Sequence, residues 1–399
     1  MIEFDTELKK LDFSNVNIKI VGIGGAGGNT INSMIESGLS DVEFIVANSD
    51  LQAIRNSKAA CKIQIGVKTT KGLGCGANPD LGRRATEEDL EKIMEHLESA
   101  DIVFLVAGMG GGTGSGGAPV IAKALKERGI LSIAVVTKPF AFEGKRRMLV
   151  AEHALEDLKK EIDTLIVVPN EKLLGLVDRS TSMVESFNMI NELLIRSVKS
   201  ISSIISKSGH INVDFADLCT IMKGMGLAMM GTGTASGENR AQEAARRAIS
   251  SPLLENMDIK SARGVLLNIS GGPDLTLHEI SDAANVIYDL SDKNAHIILG
   301  TVIDQDLKNE VVVSVVATGF QPAVAVTPVT KAPYKQDASA VEIEKELILQ
   351  PIYESKVPDM NQKNSKEVIQ KNDIFDNNEF EVPAYLRKQL KSDVISGEK

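Results

Sequence analysis

Two glycine-rich turns, each placed directly after an apolar run, constrain this chain more than any other feature. The first, Gly22-Ile23-Gly24-Gly25-Ala26-Gly27-Gly28-Asn29, follows Ile18-Lys19-Ile20-Val21. The second, Gly108-Met109-Gly110-Gly111-Gly112-Thr113-Gly114-Ser115-Gly116-Gly117, follows Ile102-Val103-Phe104-Leu105-Val106. Glycine lets backbone N–H groups converge on an anion, and a helix N-terminus behind the turn adds a fixed positive dipole. Two such turns on one sheet point to a phosphorylated ligand.

The surrounding pattern predicts an α/β fold, doubly wound, mostly parallel and Rossmann-like. Further apolar strands are expected at Val42-Glu43-Phe44-Ile45-Val46, at Leu131-Ser132-Ile133-Ala134-Val135-Val136 and at Leu165-Ile166-Val167-Val168, with helices over 30–37, 87–99 and 119–128 between them. Near-continuous apolar strands alternating with helices require a sheet covered on both faces. From 179 to about 206 a single stripe of Met183, Phe187, Ile190, Leu194, Val198, Ile201 and Ile205 predicts a long helix, buried along most of its length, that acts as a spine. Beyond it, helices over 214–222 and 238–249 and strands over 264–269, 295–303 and 311–318 suggest a smaller α+β domain.

The expected organisation is an N-terminal extension at 1–15, a nucleotide-binding domain at 16–178, the spine at 179–208 and the α+β domain at 209–320. A polar, proline-bearing linker covers 321–379, and a docking peptide with its tail covers 380–399. The linker has the composition of a disordered tether. The amphipathic run Val382-Pro383-Ala384-Tyr385-Leu386-Arg387-Lys388 reads as a docking motif that orders on binding, or as an unremarkable tail.

Net charge is −10, from 44 basic and 54 acidic residues, which argues against a nucleic-acid binder working through phosphate neutralisation. No stretch approaches the roughly 20 apolar residues of a membrane span, so no direct membrane insertion and a cytoplasmic location are expected. Cys61, Cys75 and Cys219 are widely spaced without a C-x-x-C pair, and no metal site is expected from them.

Taken alone, Gly22, Gly24 and Gly27 with Asp50 on the next strand also fit the dinucleotide fingerprint, so a nicotinamide-dependent oxidoreductase stays open. The second turn favours a polyphosphate, with the Thr113 and Ser115 hydroxyls available to phosphate or hydrated magnesium. Neither Gly-x-x-x-x-Gly-Lys-Ser/Thr nor Asn-Lys-x-Asp occurs.

The run Gly110 to Gly116 resembles the motif of the tubulin and FtsZ superfamily. Asn48-Ser49-Asp50, Gly72-Leu73-Gly74-Cys75-Gly76-Ala77-Asn78-Pro79, Thr137-Lys138-Pro139-Phe140-Ala141-Phe142-Glu143-Gly144, Asn212-Val213-Asp214-Phe215-Ala216-Asp217 and Gly271-Gly272-Pro273-Asp274-Leu275-Thr276 resemble its FtsZ branch more than tubulin. The resemblance implies a GTPase that polymerises head to tail into filaments of the division ring, with GTP or GDP and magnesium as ligands. It puts the phosphates on Gly25, Ala26, Gly27, Gly28, Asn29, Gly111, Gly112, Thr113 and Gly114. Glu143 and Arg147 would contact the ribose and phosphate region, and Phe187 and Asn191 the guanine. Without the resemblance, Arg147 is an ordinary surface charge, Phe187 a core residue and Asn191 a solvated helix residue.

By the same resemblance Asn212, Asp214 and Asp217 would enter the next subunit's site and position the attacking water, although Asp214 also fits a plain helix cap. Val382, Pro383, Tyr385, Leu386 and Arg387 would bind membrane-tethering adaptors such as FtsA, at the division site on the inner face of the cytoplasmic membrane. Ser206-Lys207-Ser208-Gly209-His210, Lys199-Ser200 and Cys75 depart from the family pattern. A GTP-binding filament protein without significant hydrolysis remains an alternative.

Overall fold

The computed structural model describes residues 16–320 except 176, 179, 207–212, 252, 255–258 and 306. Asn212, His210, the extension at 1–15, and the tail peptide with Val382, Pro383, Tyr385, Leu386 and Arg387 lie outside the described residues.

The strands are β1 (Ile18–Ile23), β2 (Glu43–Asn48), β3 (Cys61–Gln64), β4 (Ile102–Gly108), β5 (Leu131–Lys138), β6 (Thr164–Pro169), β7 (Gly226–Ser236), β8 (Gly264–Gly271), β9 (His296–Ile303) and β10 (Glu310–Thr318). They form one sheet in the order β3-β2-β1-β4-β5-β6-β7-β10-β8-β9. Pairing is parallel from β3 to β7 and between β8 and β9, and antiparallel where β10 meets β7 and β8. Strand order reverses between β1 and β4, the place where doubly wound sheets open a crevice at the carboxyl ends of their strands.

The helices are α1 (Gly24–Glu36), α2 (Leu51–Asn56), α3 (Val67–Thr70), α4 (Pro79–Glu88), α5 (Leu90–Glu95), α6 (Thr113–Glu127), α7 (Lys145–Glu161), α8 (Asn170–Leu173), α9 (Met183–Ser206), α10 (Phe215–Met222), α11 (Arg240–Ile249) and α12 (Leu277–Tyr288). Both faces of the sheet are covered, and β1 shows it within six residues. Ile18 and Ile20 pack into one core with Ile31, Met34 and Val198, while Val21 and Ile23 pack into a second with Ile121 and Leu125.

Both helices begin earlier than the sequence suggests, within the glycine turns themselves, although residues 109–112 still form a turn ahead of the second. Helix α1 starts at Gly24 instead of residue 30, and α6 starts at Thr113, leaving Pro119 inside the helix instead of at its head. Pro119, the seventh residue of α6, has no N–H to donate to the Ser115 carbonyl, so the helix carries it at the cost of one backbone bond. The helix expected over 87–99 is divided into α4 and α5 at Asp89, whose carboxylate accepts the Gly66 N–H at 2.7 Å.

Helix α9 starts at Met183, where Ser182 and Glu185 form a reciprocal cap: Glu185 N–H donates to Ser182 Oγ at 3.2 Å and Ser182 N–H to the Glu185 carboxylate at 2.8 Å. Its burial begins only at Ile190; Met183 is 72 % exposed and Phe187 37 %. The stripe is therefore continuous in sequence but not in environment. Its buried half shares one core with Ile166, Met230, Leu266 and Val316, which ties the N-terminal half of the sheet to the C-terminal half.

Strand β7, which makes that junction, was not among the expected strands. Its glycines break the apolar pattern because α11 lies directly upon it: a Cβ on Gly231 would stand 2.0 Å from the Ala248 carbonyl oxygen, and one on Gly233 would stand 2.1 Å from that of Ala244. Arg240, at the head of α11, is buried and binds Asp274 and Glu279, both at 2.7 Å.

Candidate nucleotide-binding site

A cleft of about 600 Å³ opens at the carboxyl ends of β1, β4 and β5. The two glycine turns meet on its floor, where a Cβ on Gly24 would lie 3.0 Å from the Gly114 nitrogen. Neither α1 nor α6 has a side-chain cap or an acidic residue in its first turn. Their free N–H groups and dipoles thus face a common space with no carboxylate in either first turn to neutralise them.

Of the sequence-predicted ligands, Gly25, Ala26, Asn29, Gly111, Gly112, Thr113, Gly114, Glu143, Arg147, Phe187 and Asn191 line this cleft. Gly27 and Gly28 do not. Gly27 faces strand backbone, with a Cβ there standing 2.4 Å from the Val106 carbonyl oxygen, so its bareness serves helix-on-strand packing. Ser115 also turns away: its hydroxyl is buried and accepts the Gly110 N–H at 2.9 Å, closing the second turn upon itself.

At the wider end, Glu143 accepts the Phe140 N–H at 2.9 Å and pairs with Arg147 at 2.9 Å. Phe187 meets Phe140 edge to face, with centroids 5.8 Å apart, and Phe140 stacks on Phe142 at 4.8 Å. Of these rings Phe187 lines the cleft, where it offers an apolar surface suited to a planar base. Asn191 is held against α1: its carboxamide oxygen accepts from Thr30 Oγ1 at 3.1 Å and its nitrogen donates to Ser33 Oγ at 3.2 Å.

Several cleft residues were not singled out as ligands in the sequence. The 72–77 loop contributes Leu73, Gly74, Cys75, Gly76 and Ala77, and the available clue was its run of left-handed positions, with φ of 78° at Gly72, 80° at Gly74, 53° at Gly76 and 60° at Ala77. Asn170, just past β6, is buried in the cleft wall with its side-chain oxygen unpartnered by protein. An orphaned acceptor there suits a ligand that donates, such as a hydroxyl or a ring N–H. No local sequence pattern marked it.

Asp214 and Asp217 lie elsewhere. Both are exposed, and neither lines the cleft. Asp214 caps α10, accepting the Asp217 N–H at 2.7 Å. The far end of α10 is fixed to the edge where the parallel strands begin: Thr164 Oγ1 donates to the Met222 carbonyl, and Thr318 Oγ1 donates to that of Ile221 at 2.7 Å. At about 3.3 Å per residue, the eight residues of β5 separate the two edges of the sheet by roughly 25 Å. The eight residues of α10 span only about 12 Å. Asp214 and Asp217 cannot return to their own cleft.

A doubly wound sheet whose crevice is floored by two uncapped, glycine-built helix starts defines a protein that binds a nucleotide polyphosphate. Comparison with known proteins is specific on which one. Residues 17–178 match the GTPase domain of the Tubulin/FtsZ family, and residues 226–321 match the C-terminal domain of the FtsZ family. An empty FtsZ dimer from M. jannaschii is 44 % identical, with a TM-score of 0.74 over 77 % of this chain and 90 % of its own. A GTPγS-bound protofilament of CetZ2 from Haloferax volcanii is 25 % identical, with a TM-score of 0.66 over 77 % of this chain and 94 % of its own. CetZ1 from the same organism, a GDP-bound monomer, shares the fold at 24 % identity and a TM-score of 0.67 over 77 % of this chain and 95 % of its own. The chain belongs to the FtsZ family of tubulin-like GTPases. With that, the nicotinamide oxidoreductase reading falls: it needs one glycine turn, and both line this cleft.

Proposed function

We propose that this chain binds GTP in the cleft, hydrolyses it only when a second copy docks its α10 end over the cleft, and so polymerises head to tail into filaments of the division ring. The observation that carries the reading is the separation just described: the phosphate cradle and the exposed Asp214 and Asp217 occupy opposite edges of one sheet. A heterologous contact of this kind repeats without closing and builds a filament. Exposed apolar side chains at the cleft mouth, among them Leu73 at 86 % and Phe142 at 71 %, supply a surface for such a contact.

In this reading the first turns of α1 and α6 hold the polyphosphate, Glu143 and Arg147 fix its ribose side, and Phe187 with Asn191 and Asn170 receives the guanine. Asp214 and Asp217 of the arriving copy, with Asn212, orient and polarise a water. Its oxygen forms a bond to the γ-phosphorus as the bond to the β–γ bridging oxygen breaks, giving GDP and phosphate. Orientation and electrostatics supply most of the acceleration in such a transfer. Among the described residues no group of three or more His, Cys, Asp or Glu side chains could hold a metal ion. A magnesium ion would accompany the nucleotide, and of the residues lining the cleft Thr113 offers it a hydroxyl. Such an ion would neutralise charge on the transferred group.

The tail peptide, from Val382 through Pro383, Tyr385 and Leu386 to Arg387, would dock on a membrane-tethering adaptor such as FtsA, keeping the filament on the inner face of the cytoplasmic membrane at the septum. Among the described residues no helix is long and apolar enough to cross a membrane.

The test is GTP turnover measured against protein concentration, together with pelleting in GTP and in GDP. A shared site predicts a threshold concentration, cooperative onset and pelleting favoured by GTP. Turnover per molecule that stays constant to the lowest concentration overturns the shared site. Pelleting without phosphate release would instead describe a filament protein that does not hydrolyse its nucleotide.

A further inference from the structure

Behind the phosphate cradle lies a short chain of buried polar groups that the proposed reaction does not use directly. Ser49 is fully buried at the end of β2, between the head of α6 and the 72–77 loop. Its Oγ lies 2.8 Å from Thr113 Oγ1 and 3.2 Å from Cys75 Sγ. Its carbonyl accepts from Thr70 Oγ1 at 3.3 Å and from the Gly74 N–H at 3.2 Å, so the residue is held from several sides. Thr113 and Cys75 reach the cleft wall; Ser49 does not.

Each of these three groups has one proton to give, and the ways of ordering the protons are unequal. If Thr113 donates to Ser49, either Ser49 donates to sulfur, a weak acceptor, and the thiol proton is left without a partner in the chain, or the thiol donates to Ser49 as well and the buried Ser49 proton is left without one. If Cys75 donates to Ser49 and Ser49 to Thr113, the strong oxygen–oxygen bond, at the usual O–H···O length, is made by a hydroxyl donor. The thiol proton is then used, and the Thr113 hydroxyl proton is free to point into the cleft.

We infer that Ser49 is a positioning residue for the polyphosphate: it fixes the Thr113 hydroxyl as a hydrogen-bond donor aimed at a phosphate oxygen, with Cys75 completing the chain behind it. The inference rests on the GTP reading of the cleft and adds a role for a residue that never touches the ligand. It also ties the 72–77 loop to the phosphate cradle through one hydroxyl.

The test is calorimetric titration of the full chain with GTP, GDP and guanosine. Ser49→Ala should weaken GTP and GDP by roughly three- to tenfold, the range of one neutral hydrogen bond, and leave guanosine unchanged. Ser49→Thr should restore the affinity. Cys75→Ala, which leaves the oxygen pair intact, should cost less than twofold. In a Thr113→Val background the Ser49→Ala loss should vanish, a non-additivity that a merely structural role for Ser49 would not produce. Should Ser49→Ala not fold, the inference stands or falls on Cys75→Ala and Thr113→Val, whose order of loss is fixed: a smaller loss for the cysteine variant supports it, and an equal or larger one contradicts it. Phosphate affinity within twofold in Ser49→Ala, or guanosine falling in step, overturns this inference alone. An unsubstituted chain that fails to bind GTP overturns the nucleotide reading and takes this inference with it.

Discussion

The two edges of the sheet are built from opposite materials. At the cleft edge, glycines and left-handed turns bring uncapped helix starts together, with no acidic residue in the first turn of α1 or α6. At the other edge α10 begins with Asp214 as its cap and Asp217 in its first turn, both facing solvent. One edge attracts a polyphosphate and the other repels it. In the reading proposed above, a molecule so divided binds the nucleotide alone, and a second copy stacked on it supplies the groups that would activate water.

The sharpest way to break this contrast is to alter one edge and measure the other. Asp217→Ala should lower GTP turnover on the order of 10²-fold, a loss typical of removing one preorganised polar group, with GTP affinity of the isolated subunit unchanged. If affinity fell as well, the two edges would not be independent. From the opposite side, Gly112→Val should weaken GTP binding by about tenfold or more, because its side chain would be forced to within 2.6 Å of the Cys75 Cβ. Calorimetry on the purified variant checks it.

A subtler contrast separates the two halves by pH. The hydrogen bond from the Arg240 guanidinium, and after it those from the Thr276 N–H and hydroxyl, hold the Glu279 carboxyl down to about 2 from an ordinary 4.5. A depressed carboxyl stabilises the fold above its unfolded pKa, and that contribution is lost as pH falls through the folded value. Thermal stability of the C-terminal half should therefore decline progressively between about pH 5 and pH 2. Glu279→Gln should flatten the decline, as followed by circular dichroism. The smallest effect is expected at Asn191→Ala: a loss near 1 kcal/mol in GTP affinity, with a loosened contact between α9 and α1. A null result would leave Phe187 as the main base contact.

Much of this was legible in the chain because apolar runs and glycine turns carry their meaning locally. Strand β4 and its glycine turn could be read from consecutive residues, as could the long stripe of α9. What failed to show was set by distant partners. Strand β7 is interrupted by Gly231 and Gly233 because α11 presses on it, and no property of 226–236 announces that contact. Gly27 and Gly25 look alike in sequence, yet one packs against the Val106 carbonyl and the other lines the cleft. Asn170 becomes a candidate ligand only once β6 brings it to the cleft wall. The exposed first half of α9 follows the same rule, since Met183 and Phe187 keep the helical spacing of a core while standing at an open mouth.

The most direct measurement is a mixing experiment with two variants damaged at opposite edges. Asp217→Ala keeps an intact cleft, and Gly112→Val keeps intact carboxylates. If the reaction is completed across a subunit contact, an equimolar mixture must hydrolyse GTP well above the sum of the two variants measured separately, because the cleft of one meets the α10 end of the other. A mixture whose turnover equals that sum would place the whole reaction within one subunit and contradict the account.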